Sequence, residues 1–236
     1  MRKLLIASTS TVHGSDYLAY ILPDLKKHFK SVYDIIFIPY ARPGGISYDD
    51  YTNKAKKAFE KIGINVRGIH EFDSAKDAIT NANGIFTGGG NTFELVNQLY
   101  KNDLIKVLKE VLANGIPYLG TSAGSNICGV TMMNTNDMPI VYPPSFDTLG
   151  IIPFNINAHY LDPDPDSTHM GETREMRIKE YHIFIEIPVL GLREGSWLEV
   201  LGNTITLRGS LTARCFQPNF AKEAIELTPD SEVVLH

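Results

Sequence analysis

The first half of the chain alternates two kinds of hydrophobic pattern. Short, mostly apolar runs occur at Lys3–Ser8, Asp34–Tyr40, Asn65–His70, Gly84–Thr87 and Ile116–Gly120, several of them continuous, as in strands covered on both faces. Between them lie stretches with apolar residues every three or four positions. Tyr48–Ile62 places Tyr51, Ala55, Ala58, Phe59 and Ile62 on roughly one face, and Phe93–Tyr100 and Leu104–Leu112 repeat the spacing, which is the period of amphipathic helices. Gly63 and Gly115 follow two of these stretches, where a helix end commonly needs a left-handed residue. Strands alternating with crossover helices predict an α/β fold with a mostly parallel central sheet and helices on both faces.

The second half has a different texture. Residues 134–171 are rich in Pro, Asn and Asp and lack periodicity, so they read as loops around a short strand near Phe154–Ala158. A helix is expected from Glu172 to about Ile185. The runs Val189–Leu192, Trp197–Val200 and Thr204–Leu207, with Gly202-Asn203 between the last two, then suggest a β-hairpin region. No repeat, low-complexity tract or linker interrupts the chain. Its 236 residues, 43% of them hydrophobic, are enough for one sizeable core, so a single domain over 1–236 is expected.

The net charge of −5 arises from interspersed acids and bases, which excludes the continuous basic face that phosphate-backbone binding requires and with it a nucleic-acid partner. The apolar run Leu4–Ala7 is too brief for a signal-peptide core or a membrane span, so a cytoplasmic protein without membrane attachment is expected. Cys128 and Cys215 are the only cysteines and sit in no metal or redox spacing. They are expected as reduced thiols, with Cys128 a small core residue.

The strongest chemical signal is Gly120-Thr121-Ser122-Ala123-Gly124, directly after an apolar strand and before a segment able to start a helix. A tight strand-to-helix turn strains the serine backbone and projects its hydroxyl into the crevice, and small flanking residues let the turn form. A second cluster, Gly88-Gly89-Gly90-Asn91, also joins a strand to a helix. It reads either as half of an oxyanion hole, with the N–H of Ala123 as the other donor, or as a glycine-rich helix start capped by Asn91. The P-loop ending and the dinucleotide spacing are both absent.

A nucleophilic serine needs a base. His28 in a lysine-rich helix, His70 at a strand end, His182 in a helix and the terminal His236 have ordinary structural readings, whereas His159 ends the strand Phe154–Ala158 amid polar loops. The base needs an orienting acid, for which Asp137 and Glu194 are both candidates, since chain order does not discriminate among triads. The stretch from His159 through Asp162, Asp164 and Asp166 to His169 has metal-ligand types. It lacks the glycine and distal glutamate of a calcium loop, and its prolines favour a stiff solvated turn.

These motifs, with Asn157-Ala158-His159, Gly171-Glu172-Thr173-Arg174 and Glu194-Gly195-Ser196-Trp197, closely resemble peptidase E, the alpha-aspartyl dipeptidase family of serine peptidases, over nearly the whole chain. The resemblance implies a class I glutamine amidotransferase-like fold. It also implies Ser122 as nucleophile, His159 as base, Asp137 or Glu194 as third member, backbone donors at Gly89 and Ala123, and Arg174 as the group that recognises the substrate's aspartate. The implied substrates are small peptides with N-terminal aspartate, and neither metal nor organic cofactor is required. Three departures bear on specificity: Thr121 where an aromatic is frequent, Ser125 in place of alanine, and Arg193 where proline is common, the last beside Glu194. Two other readings stay open: a related hydrolase of cyanophycinase-like or esterase type, and a non-catalytic binder of acidic ligands.

Overall fold

A computed structural model describes residues 1–166, 168, 170–218 and 223–235; His169 and His236, considered above, lie outside them. The elements in chain order are β1 (Lys3–Ala7), α1 (Leu22–His28), β2 (Asp34–Ile38), α2 (Tyr48–Glu60), β3 (Asn65–Gly68), α3 (Ala75–Thr80), β4 (Ile85–Thr87), α4 (Thr92–Lys101), α5 (Leu104–Ala113), β5 (Tyr118–Thr121) and α6 (Ala123–Asn126). After a long irregular stretch follow β6 (Asn155–Ala158), α7 (Arg174–Tyr181), β7 (Val189–Leu192), β8 (Trp197–Leu201), β9 (Thr204–Arg208), β10 (Ala213–Phe216) and β11 (Ile225–Leu227). None of the helices is long and apolar enough to cross a membrane.

A seven-stranded sheet has the order β3-β2-β4-β5-β1-β8-β9. The segment from β3 to β1 is parallel throughout, and the hairpin β8–β9 adds antiparallel to β1. Alternation along β1 shows why the parallel strands are apolar on both sides. Leu4 and Ile6 enter a core cluster with Ile79, Leu95 and Leu108 from α3, α4 and α5. Leu5 and Ala7 enter another with Leu25 of α1 and Tyr51 and Phe59 of α2. Side-chain caps set the starts of α2, α3 and α4: Ser47, Ser74 and Asn91 accept from the backbone N–H groups of Asp50, Asp77 and Glu94.

The structure departs from the sequence expectations in its second half. Val189–Leu192 does not join the β8–β9 hairpin; it belongs to a separate four-stranded sheet of order β11-β10-β7-β6, in which β6 and β7 run parallel. The C-terminal strands β10 and β11 escape a pattern search because they are short, and Arg214 and Glu226 interrupt them with charge. Helix α7 is shorter than expected at both ends, starting at Arg174 because the Thr173 hydroxyl caps it by accepting from the Met176 N–H.

One buried titratable group follows from the two-sided packing. His28 of α1 is buried, and its Nε2 donates to the Tyr118 carbonyl at 3.1 Å. Burial, reinforced by the Lys3 charge and opposed by that hydrogen bond, lowers its pKa from 6.5 to about 3. The folded state therefore refuses a proton that the unfolded chain accepts, and stability is full above pH 6.5 and lost as the pH falls toward 3. Urea titrations from pH 7 to pH 4 are expected to show a decline approaching ~1.4 kcal/mol per pH unit from this group. His28→Gln should flatten that dependence, and an unchanged slope would reject His28 as its source.

Candidate active site

The turn between β5 and α6 carries Ser122 with φ 54° and ψ −112°, outside the regions that side-chain-bearing residues prefer. Close packing on both flanks holds it there. A Cβ on Gly120 would come within 2.4 Å of the Gly124 carbonyl oxygen, and one on Gly124 within 2.2 Å of the Thr87 carbonyl oxygen. Ser122 N–H donates to the Ala7 carbonyl at 3.1 Å, and the buried Ser125 hydroxyl donates to the same oxygen at 2.6 Å. Ser125 thus ties the turn to β1, a bond that alanine would not make. Thr121 is fully buried and lies away from solvent.

His159 follows β6 and also has a left-handed backbone, φ 54°. Its Nε2 lies 2.9 Å from Ser122 Oγ, and its Nδ1 lies 2.6 Å from Glu194 Oε1. The tautomer that satisfies both contacts donates Nδ1–H to the carboxylate and leaves Nε2 to accept from the hydroxyl. The register of parallel β6 on β7 pairs Ala158 with Leu192 and so brings His159 and Glu194, one and two residues further on, to the same sheet edge. Ser8, at the end of β1, joins this edge to the main sheet. Its buried hydroxyl donates to the Leu192 carbonyl at 2.6 Å and accepts from the His159 N–H at 2.9 Å. A polar residue ending the apolar β1 run was the only sequence signal for Ser8.

Asp137 is placed differently, its carboxylate engaged at the start of α4. Its Oδ2 accepts from the Thr92 N–H at 2.7 Å, the Thr92 hydroxyl at 2.5 Å and the Thr135 hydroxyl at 3.1 Å. Thr92 is the first residue of α4, so this carboxylate neutralises the positive end of a helix. The Asn91 side chain caps the same helix and also donates to the Met138 carbonyl at 2.8 Å, pinning the loop that carries Asp137.

Gly89 lies directly against Ser122: a Cβ there would be 2.9 Å from Ser122 Cβ and 3.5 Å from its Oγ. The Gly89 carbonyl is held on the other side by the Tyr51 hydroxyl at 3.0 Å and Arg42 Nε at 3.2 Å; the sequence placed Tyr51 only on the apolar face of its helix and did not mark Arg42. Among the described residues no acceptor engages the N–H of Gly89 or of Ala123. In the glycine cluster Asn91 caps α4, and Gly89 is close-packed on Ser122.

Arg174, the first residue of α7, is half-buried and has no ion-pair partner among the described residues, while its neighbours Arg177 and Lys179 do. Burial and the Arg177 charge lower its pKa, and the carboxylates of Asp137 and Glu194 oppose that shift from nearby. A guanidinium with no ion-pair partner among the described residues is suited to bind a carboxylate through two parallel hydrogen bonds. Arg193 is unlike it: its guanidinium is taken up by Asp162 and Glu226, so its charge does not act on Glu194 unbalanced. Asp162 is thereby engaged, and Asp164 accepts from the Asp166 N–H at 3.0 Å. Among the described residues no three His, Cys, Asp or Glu side chains converge as a metal site.

The chain is 44% identical over 232 residues to peptidase E of Streptomyces coelicolor, covering 98% of this chain and 94% of the relative. It is 43% identical over 231 residues to a probable alpha-aspartyl dipeptidase of Drosophila melanogaster, covering 97% and 94%. Among solved structures, a putative peptidase E protein from Listeria monocytogenes superposes with TM-score 0.68 at 22% identity, over 89% of this chain and 98% of that one. A peptidase from an acI-B1 Actinobacterium gives TM-score 0.73 at 12% identity, over 100% and 97%. These two likenesses establish the mixed α/β fold, consistent with a class I glutamine amidotransferase-like architecture. The family model described as Peptidase family S51 matches residues 4–208, and with relatives of this identity over almost the full length, the chain belongs to peptidase family S51.

Proposed function

We propose that the protein is a serine dipeptidase that hydrolyses small peptides with N-terminal aspartate, residues 1–236 acting as one catalytic unit. The observation that carries the reading is the continuous chain Ser122 Oγ–His159 Nε2–Glu194 Oε1, at 2.9 and 2.6 Å, which ends on a strained, close-packed turn. Membership of peptidase family S51 and the alpha-aspartyl dipeptidase name of the Drosophila relative support the choice of substrate.

In this mechanism Ser122 Oγ attacks the carbonyl carbon of the N-terminal aspartyl residue as His159 Nε2 takes the hydroxyl proton. The oxyanion is received by the N–H groups of Ala123 and Gly89, which no acceptor engages among the described residues. The proton on Nε2 passes to the departing amine, the C–N bond breaks, and an acyl-enzyme remains. Water then attacks the acyl carbon, giving its proton to His159, and collapse releases the acid and restores the Ser122 hydroxyl. Glu194 keeps Nδ1 protonated and stabilises the imidazolium formed in each half-reaction. Arg174 binds the substrate's side-chain carboxylate, the one strong charge that distinguishes Asp-X from Asn-X. The free thiols of Cys128 and Cys215 suit the reducing cytoplasm.

Hydrolysis of Asp-Leu and Asn-Leu followed by chromatography tests the reading. Wild type should cleave Asp-Leu far faster, and Ser122→Ala should lower kcat by about 10⁵-fold; equal cleavage of both peptides would remove the aspartate preference, and unchanged turnover in the variant would remove the nucleophile. Arg174→Met should cost about 10²-fold in kcat/KM for Asp-Leu and little for Asn-Leu, whereas a uniform loss would assign Arg174 a structural role. Glu194→Gln should reduce kcat by on the order of 10²–10⁴ with a small change in KM. Retention of wild-type kcat in that variant would return the third position to another acid.

A further inference from the structure

A second charged array runs behind the site. Arg193 Nε and Nη2 grip both oxygens of Asp162 at 2.8 and 2.7 Å, and Nη1 and Nη2 grip both oxygens of Glu226 at 3.0 and 2.9 Å. Nη1 also donates to the Thr212 carbonyl and hydroxyl at 2.9 and 2.8 Å. Glu226 pairs in turn with Arg214, its register partner across β10 and β11, at 3.7 Å, and Arg214 Nη2 holds Glu175 of α7 at 2.9 Å.

The importance of the array lies in where its members stand in the chain. Asp162 lies three residues after His159, Arg193 immediately precedes Glu194, and Glu175 immediately follows Arg174. We propose that the ion-pair ladder Asp162–Arg193–Glu226–Arg214–Glu175 holds the three segments carrying His159, Glu194 and Arg174 in register, making Arg193 and its partners positioning residues. The inference rests on the serine-dipeptidase reading.

Three physical features support it. The β6–β7 register ends at Ala158–Leu192 and one further backbone bond, from the Tyr160 N–H to the Leu192 carbonyl at 3.1 Å, follows it; beyond that bond Arg193 joins the two segments through two parallel hydrogen bonds to Asp162. The side chains of Arg193 and Glu175 are only 15% and 17% exposed, where charge pairs are less screened than on an open surface. Arg193 also holds the carboxyls of Asp162 and Glu226 below the ordinary range, the first effect in each case being its hydrogen bonds. A carboxylate–imidazole bond of 2.6 Å tolerates little drift of its supports, and a displacement of ~1 Å at a reacting group can cost on the order of 10²-fold in rate.

The test uses the full-length enzyme with Asp-Leu as substrate and two readouts: steady-state kinetics, and the downfield proton resonance of His159 Nδ1–H, which needs no substrate. Arg193→Met and Asp162→Asn should each lower kcat by about tenfold or more, with KM changed much less, and should shift or broaden that resonance. The double variant should be no worse than Arg193→Met alone, because both changes remove one connection. Arg193→Lys should recover part of kcat, and Arg214→Met, on the limb toward Arg174, should raise KM more than it lowers kcat. If Arg193→Met fails to fold, Asp162→Asn carries the test, since that carboxylate is 45% exposed and its loss is mild. Folded Asp162→Asn with wild-type kcat and an unmoved resonance, or losses that multiply in the double variant, would overturn the ladder. Absence of Ser122-dependent turnover in wild type, with the resonance still moved by Asp162→Asn, would instead reject the dipeptidase reading and leave the ladder standing.

Discussion

Ser122 rides on the seven-stranded sheet, while His159 and Glu194 stand at the edge of the four-stranded one, and the Ser8 hydroxyl is bonded into both. By donating to the Leu192 carbonyl and accepting from the His159 N–H, it sets the distance between β1 and the ends of β6 and β7. Ser122 is tied to the same strand through the Ala7 carbonyl, one residue before Ser8. Ser122, His159 and Glu194 therefore share a short, buried reference frame. A buried hydroxyl with both its donor and an acceptor lone pair used is held rigidly, because rotating it would orphan a polar group at a cost of roughly 1–3 kcal/mol.

Two left-handed backbones, at Ser122 and His159, meet across that frame. Each stores strain of order 1–3 kcal/mol, which a loose surface loop would relax. Here it persists because both faces of the main sheet are covered by helices and the turn between β5 and α6 leaves no room for relaxation: the glycines at 120 and 124 are already in backbone contact. The clash a side chain would create at Gly89 comes from Ser122, so the small residue is demanded by tertiary approach rather than by its own φ.

Environment separates two carboxylates that look equivalent as loop acids. Asp137 saturates one oxygen with donors from the start of α4 and from Thr135, which assigns it to holding a helix terminus and its loop. Glu194 has an imidazole N–H as its close partner and remains half exposed. Arg174 lies near enough to both to feel their charge and has no ion-pair partner among the described residues.

Much of the architecture is a local property of the chain. The apolar runs and the helical periods predict β1 to β5 and α2, α4 and α5 in nearly their observed places, because residues buried on both sheet faces must be apolar whatever lies beside them. The Gly-x-Ser-x-Gly turn was legible for the same reason: its small residues answer a steric demand within five positions. By contrast, β10, β11 and the membership of β7 in a second sheet are set by pairing between distant segments, and their short, charge-interrupted sequences carry no period. The partner of His159 was undecidable from sequence, since Asp137 and Glu194 both occupy polar loops. Only the parallel register of Ala158 on Leu192 brings one of them, Glu194, to Nδ1. Side-chain chemistry is written residue by residue, but which groups face each other depends on the path of the backbone between them, and that path is a property of the whole packed chain.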